Sequence, residues 1–175
     1  MRKQGQRGYT LLEIVITLVL ATIVIGLVGS LFVASLGAWR RGQDLREAQI
    51  HASGLVDLIA RDVRNASQTP SVTVRPKFTV EEGDPLLSVA ASSTAPGGGP
   101  AWVLYLYLSN RGQVLRQVVT ASPDGQLAPR ESRVVGTGVT KISVEQVADG
   151  VTIQTEVRRG RATAEARATA APRNP

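Results

Sequence analysis

Between Arg7 and Arg40 the sequence holds one charged side chain, the carboxylate of Glu13, set in an apolar run that extends to Trp39. Insertion scales put the cost of an acid at the centre of a membrane-spanning helix at about 2.5 to 3.5 kcal/mol, so such a group needs a cationic or hydrogen-bonding partner. The chain supplies none nearby. Arg7 lies six positions back, poorly placed on a helix of 3.6 residues per turn. The partner of Glu13 must therefore come from another molecule.

The remaining residues with chemical potential form no reactive set. His51 is the only histidine, and its place in a helical pattern makes it a solvated or packing residue rather than a base or ligand. The run Pro96-Gly97-Gly98-Gly99-Pro100 lacks the Gly-Lys-Ser/Thr ending of a phosphate loop and reads as a flexible linker. Glu81-Glu82-Gly83-Asp84 offers oxygen ligands but not the spacing of a calcium loop, so it reads as a solvated acidic turn. Asn65-Ala66-Ser67 is too short a glycosylation pattern to carry weight. No catalytic residue, cofactor or metal is expected, and the protein is not read as an enzyme.

These residues are positioned by a membrane-competent helix and a small exported module. Residues 9–38 exceed the roughly 20 apolar residues that cross a bilayer and contain no proline. Arg2, Lys3 and Arg7 precede them without an acid, which places the N-terminus in the cytoplasm and the rest outside; Arg40 and Arg41 on the far flank oppose this more weakly. An ordinary secretory signal has an apolar core of only about 7 to 15 residues, and a plain single-span anchor leaves Glu13 unexplained. The net charge of +6 becomes +3 once Arg2, Lys3 and Arg7 are subtracted, too mild a surface to imply nucleic acid binding by itself. With no cysteine, the module relies on packing rather than disulfides.

Past the apolar run, Leu45, Ala48, Ala52, Leu55, Ile59 and Val63 recur at three- or four-residue steps, widened by Val56. Arg46, Glu47, Asp57, Arg61 and Arg64 fall outside this stripe, and Asp57 with Arg61 makes an i,i+4 pair. Together with the apolar run this predicts one helix of about 58 residues, near 87 Å long, that exits at Asn65, Ser67 and Pro70. Gly26, Gly29, Gly37, Gly42 and Gly54 allow bends or close helix contacts. From Ser71 the period changes to two: strands are predicted at residues 72–74, 86–90, 102–108, 114–120, 139–147, 151–157 and 162–168. Turn signals at Asn110-Arg111-Gly112, Pro123-Asp124-Gly125 and Ala148-Asp149-Gly150 predict three hairpins, firmest for 102–108 with 114–120 and for 139–147 with 151–157. The fold class is α+β: a long N-terminal helix whose amphipathic half packs on one face of an antiparallel β-sheet.

Gly8 followed by Tyr9-Thr10-Leu11-Leu12-Glu13 resembles the signature of type IV prepilins and type II secretion pseudopilins. The resemblance implies cleavage after Gly8 by a membrane prepilin peptidase, N-methylation of Tyr9, and an assembly role for Glu13 as the acid at the fifth mature position. It also implies Glu13's partner, the N-terminal amine of a neighbouring subunit, which is cationic at neutral pH and stays so when methylated. Tyr9 stands where phenylalanine is commoner. More scattered segments resemble J-type minor pseudopilins and related minor pilins: residues 58–66, Trp102-Val103-Leu104-Tyr105, Leu115-Arg116-Gln117 and Arg173-Asn174. The pilin-like organisation implied is a leader at 1–8, a transmembrane helix half at 9–39, an amphipathic half at 40–69 and a β-rich extracytoplasmic domain at 70–175. Residues 79–100 fit no pattern.

The expected function is that of a structural subunit in a pilus or secretion pseudopilus, placed beneath the tip because the subunit at the very tip of the pseudopilus characteristically lacks the acid. Expected partners are the prepilin peptidase, other minor and major pilins or pseudopilins, and the inner membrane. A DNA-binding competence pilin using Arg158, Arg159, Arg161 and Arg167 is the alternative, with DNA as partner, and a membrane-anchored enzyme is a remote one.

Overall fold

The computed structural model describes residues 10–67, 70, 83–90, 101–121 and 127–173. The chain divides into two compact units, one ending at Gly42 and one beginning at Gln43. Helix α1 runs from Leu11 to Arg64, 54 residues, and seven strands follow: β1 (Asp84–Ala90), β2 (Ala101–Leu108), β3 (Gln113–Ala121), β4 (Leu127–Thr137), β5 (Val139–Val147), β6 (Gly150–Arg159) and β7 (Ala162–Ala170). The expected strand at 72–74 and the turn at Pro123-Asp124-Gly125 lie outside the described residues.

In the first unit, leucine, isoleucine and valine side chains are exposed all around the helix, from Leu11 at 83% to Leu36 at 41%. A helix apolar on every side is built for lipid or for a bundle of like helices. Its few hydroxyls are hidden accordingly: Thr17 donates to the Glu13 carbonyl at 2.7 Å, Thr22 to Val19 at 2.7 Å and Ser30 to Leu27 at 2.8 Å. These three hydroxyls are thus satisfied within their own helix, as a bilayer demands.

In the second unit the buried stripe of α1 is Ala48, Ala52, Leu55, Val56, Ile59, Ala60 and Val63. Leu45, expected in this stripe, is 42% exposed, so the stripe begins one turn later. From Ala52 onward the stripe packs with Leu87, Val89, Val103, Tyr105 and Val114, and with Val139, Val151, Ile153 and Val157, in one apolar core. The Asp57 and Arg61 side chains do not form the expected ion pair; the one ion pair among the described residues joins Arg116 to Asp62.

The expected single sheet is two sheets, a four-stranded one in the order β1-β2-β3-β4 and a three-stranded one in the order β5-β6-β7, all antiparallel. The expected hairpins β2–β3 and β5–β6 form, as does β6–β7. The break falls at Gly138, whose φ of +70° few other residues adopt and where a Cβ would lie 2.7 Å from the Arg158 carbonyl. Strand β4 was not foreseen from the sequence. Pro129 and the charges of Arg130, Glu131 and Arg133 obscure its alternation, yet β4 is an edge strand with two register shifts against β3, the setting in which a strand tolerates proline. Two residues before the break, Gly136 lets the Leu55 side chain approach β4 closely, since a Cβ there would stand 2.9 Å from Leu55 Cδ2.

Candidate functional site

The sequence directs attention first to the start of α1. Gly8 and Tyr9 lie outside the described residues. Thr10 begins the helix as its N-cap: the Glu13 amide donates to the Thr10 carbonyl at 3.0 Å and to Thr10 Oγ1 at 3.3 Å. Thr10-x-x-Glu13 is therefore a capping pattern, which sequence reading overlooked although the spacing announces it. A helix N-terminus also carries partial positive charge, so the acid has a modest local reason to sit in the first turn. That local role does not consume the carboxylate. Glu13 is exposed, and no side chain among the described residues pairs with it.

Small residues follow along the same helix. A Cβ added at Gly26 or Gly29 would meet nothing within 4 Å, so nothing within the chain requires glycine at either position. Glycines that no internal contact explains leave room for close approach by another helix.

Residues 3–29 match a known family, the prokaryotic N-terminal methylation motif. The match covers Gly8, Tyr9 and Glu13 and supports a type IV pilin-like signal with the processing and pilin-type assembly that go with it. No curated protein and no solved structure matches the chain. Among the described residues one helix, Leu11–Arg64, is long and apolar enough to cross a membrane.

A second cluster was not anticipated from the sequence. Asp62, on the last turn of α1, accepts a hydrogen bond from Tyr105 Oη at 2.6 Å and another from Arg116 Nε at 2.8 Å, both on Oδ2. Strand pairing sets the donors side by side, because Tyr105 of β2 is directly opposite Arg116 of β3. Burial pushes the Tyr105 hydroxyl well above its ordinary pKa near 10, and the bond to Asp62 pushes it further the same way. Burial alone would lower Arg116, but its bond to Asp62 and the attraction of that charge leave it raised. Tyr105 therefore stays a neutral donor and Arg116 a cation, an arrangement suited to fastening a helix to two strands rather than to proton transfer. The signal was legible: Asp62 is seven residues after Leu55 and three after Ile59, an acid at a stripe position rather than on the solvated face. Nearby, the Arg173 amide donates to the Arg64 carbonyl at 3.2 Å and satisfies one of the acceptors that a helix end leaves open.

A Tyr105→Phe variant should lose about 1.5 to 3 kcal/mol of stability, the usual worth of a hydrogen bond to a charged group. The sign of the pH effect follows from the raised pKa. Stabilisation tied to the neutral phenol is complete below pH 10, the ordinary tyrosine value, and is lost as pH rises beyond it. Thermal melting between pH 8 and 11 should therefore fall more steeply for the natural protein than for Tyr105→Phe; parallel curves would remove Tyr105 from this role.

The other candidates are dispersed. His51 is exposed on α1, and among the described residues no three His, Cys, Asp or Glu side chains form a metal-binding group. Glu81, Glu82 and residues 96–100 lie outside the described residues, while Asp84 is an exposed residue at the start of β1. Of the four arginines considered for DNA, Arg158 and Arg167 are exposed on β6 and β7, Arg161 is exposed at their turn with its amide on Asp44, and Arg159 donates to Thr137 Oγ1 at 2.6 Å. Glu156 and Glu165, directly opposite each other, separate Arg158 from Arg167 along the two strands, so these arginines form no continuous basic stripe.

Proposed function

We propose that the chain is a minor pilin or pseudopilin, a structural subunit of a type IV pilus or type II secretion pseudopilus that acts in the assembly-initiating complex beneath the tip. The observation that carries this reading is a coincidence on one segment. The methylation-motif match over residues 3–29 overlaps the start of α1, where the helix is apolar on all sides and its one acid, Glu13, is unpaired among the described residues. Residues 1–8 are the leader, 9–39 the transmembrane half, 40–69 the amphipathic half and 70–175 the extracytoplasmic domain. The peptidase cuts after Gly8, Tyr9 is methylated, and the N-terminus faces the cytoplasm with the β-rich domain outside the inner membrane, free to join other pilins. Glu13 then pairs with the terminal amine of a neighbouring subunit, and subunits add in a non-closing helical contact.

Further support for a J-type subunit comes from where its scattered resemblance falls. The segments 58–66, 102–105 and 115–117 supply Asp62, Tyr105 and Arg116, and Arg173 closes on the same helix end. Mass spectrometry of the N-terminus tests the reading. The mature protein should start at N-methylated Tyr9, and Gly8→Leu should leave the full-length chain uncut. An intact Met1 terminus on the natural protein, or one near Ala38, would overturn it.

A further inference from the structure

A cleft of about 350 Å³ opens between the last turns of α1 and strand β4, lined by Leu58 and Arg61, by Arg116 of β3, and by Glu131, Arg133 and Val134. Its charge does not balance. Arg116 is matched by Asp62, whereas Arg61 and Arg133 are exposed and make no ion pair among the described residues. Arg133 also lies directly opposite Arg116 in the β3–β4 register, and like charges in that position repel unless a counter-charge joins them. The same cleft is also lined by Val135, partly buried against the apolar core.

We propose that this cleft receives a carboxylate-bearing peptide segment of a partner protein, its acids on Arg61 and Arg133 and an adjoining apolar side chain on Leu58 and Val135. The inference goes beyond the filament reading and does not depend on it. Guanidinium groups suit carboxylates because two parallel N–H donors match two oxygens. A polynucleotide fits less well, because among the described residues no aromatic side chain lines the cleft to stack a base.

The test uses the full chain in detergent micelles and a fluorescent peptide, acetyl-Glu-Leu-Glu-Leu-Glu-amide, followed by anisotropy. Binding should be saturable, weakened by salt and absent for the Gln-Leu analogue. Arg61→Gln and Arg133→Gln should each weaken it roughly fivefold, as expected for an ion pair near the surface, while Arg158→Gln and Arg167→Gln leave it unchanged. All four positions are exposed, and unchanged circular dichroism would establish that the fold is kept. Arg61→Glu/Arg133→Glu together should lose the acidic peptide and gain the Lys-Leu counterpart. The proposal is overturned by no binding, by equal losses from all four arginines, or by an oligodeoxythymidylate of equal charge that competes better than the peptide and depends on the same two residues.

Discussion

Ile59→Asp is expected to abolish the cooperative unfolding transition of the β-rich unit. Ile59 is fully buried in the core shared by α1 and both sheets, with Leu55, Val56 and Val63 beside it. An aspartate there loses about 2 kcal/mol of apolar burial and places a carboxylate among the apolar side chains of the core, a cost of several kcal/mol more. Against a total stability of about 5 to 15 kcal/mol for a domain, that is enough to unfold it. Circular dichroism melting of the full chain in detergent, or of a fragment beginning at Gly42, reads the result. Asp57→Ala on the exposed face of the same helix should melt like the natural protein. A normal transition for Ile59→Asp would remove the helix-on-sheet core.

The second large effect is on assembly. Glu13→Ala should insert into membranes at least as well as the natural protein, because the membrane penalty of the acid disappears, yet be poorly recovered with filaments or tip complexes, because the neighbouring amine is left unmatched. Glu13→Gln should fall between, keeping a hydrogen bond without the charge. The capping geometry supplies a control that the sequence alone did not suggest. Thr10→Ala removes the cap on the Glu13 amide, at about 1 kcal/mol of helix stability, but keeps the acid. Processing, membrane level and filament co-purification of the three variants separate the roles. If Thr10→Ala and Glu13→Ala lose incorporation equally, Glu13 acts as a helix cap rather than as an assembly contact.

The periodicities that were strong in the sequence became the elements of the fold. The three- and four-residue steps from Ala48 to Val63 form the buried stripe of α1, and the alternating runs around 102–108, 114–120 and 151–157 form central strands. The failures have specific causes. Pro129 and its charged neighbours hid β4, because an edge strand escapes the apolar alternation imposed on central ones. The division into two sheets turns on the backbone of Gly138, a conformational demand that one glycine in a Thr-Gly-Val run does not announce. The Asp62 cluster escaped notice because an acid between Arg61 and Arg64 reads as one more solvated charge until its position on the stripe is counted. Tyr105 and Arg116 come from separate strands, so only the β2–β3 register could place them beside it.

Strand β4 carries one more implication, for the time before a subunit reaches its neighbours. A chain concentrated in the plane of a membrane meets its own copies often, and an open strand edge invites them to stack into aggregates. Among the described residues β4 is such an edge, but Pro129 removes a backbone donor from it, two register shifts break its regularity, and Arg130, Glu131 and Arg133 crowd it with charge. The features that made β4 unreadable as a strand are those that keep it from recruiting another one.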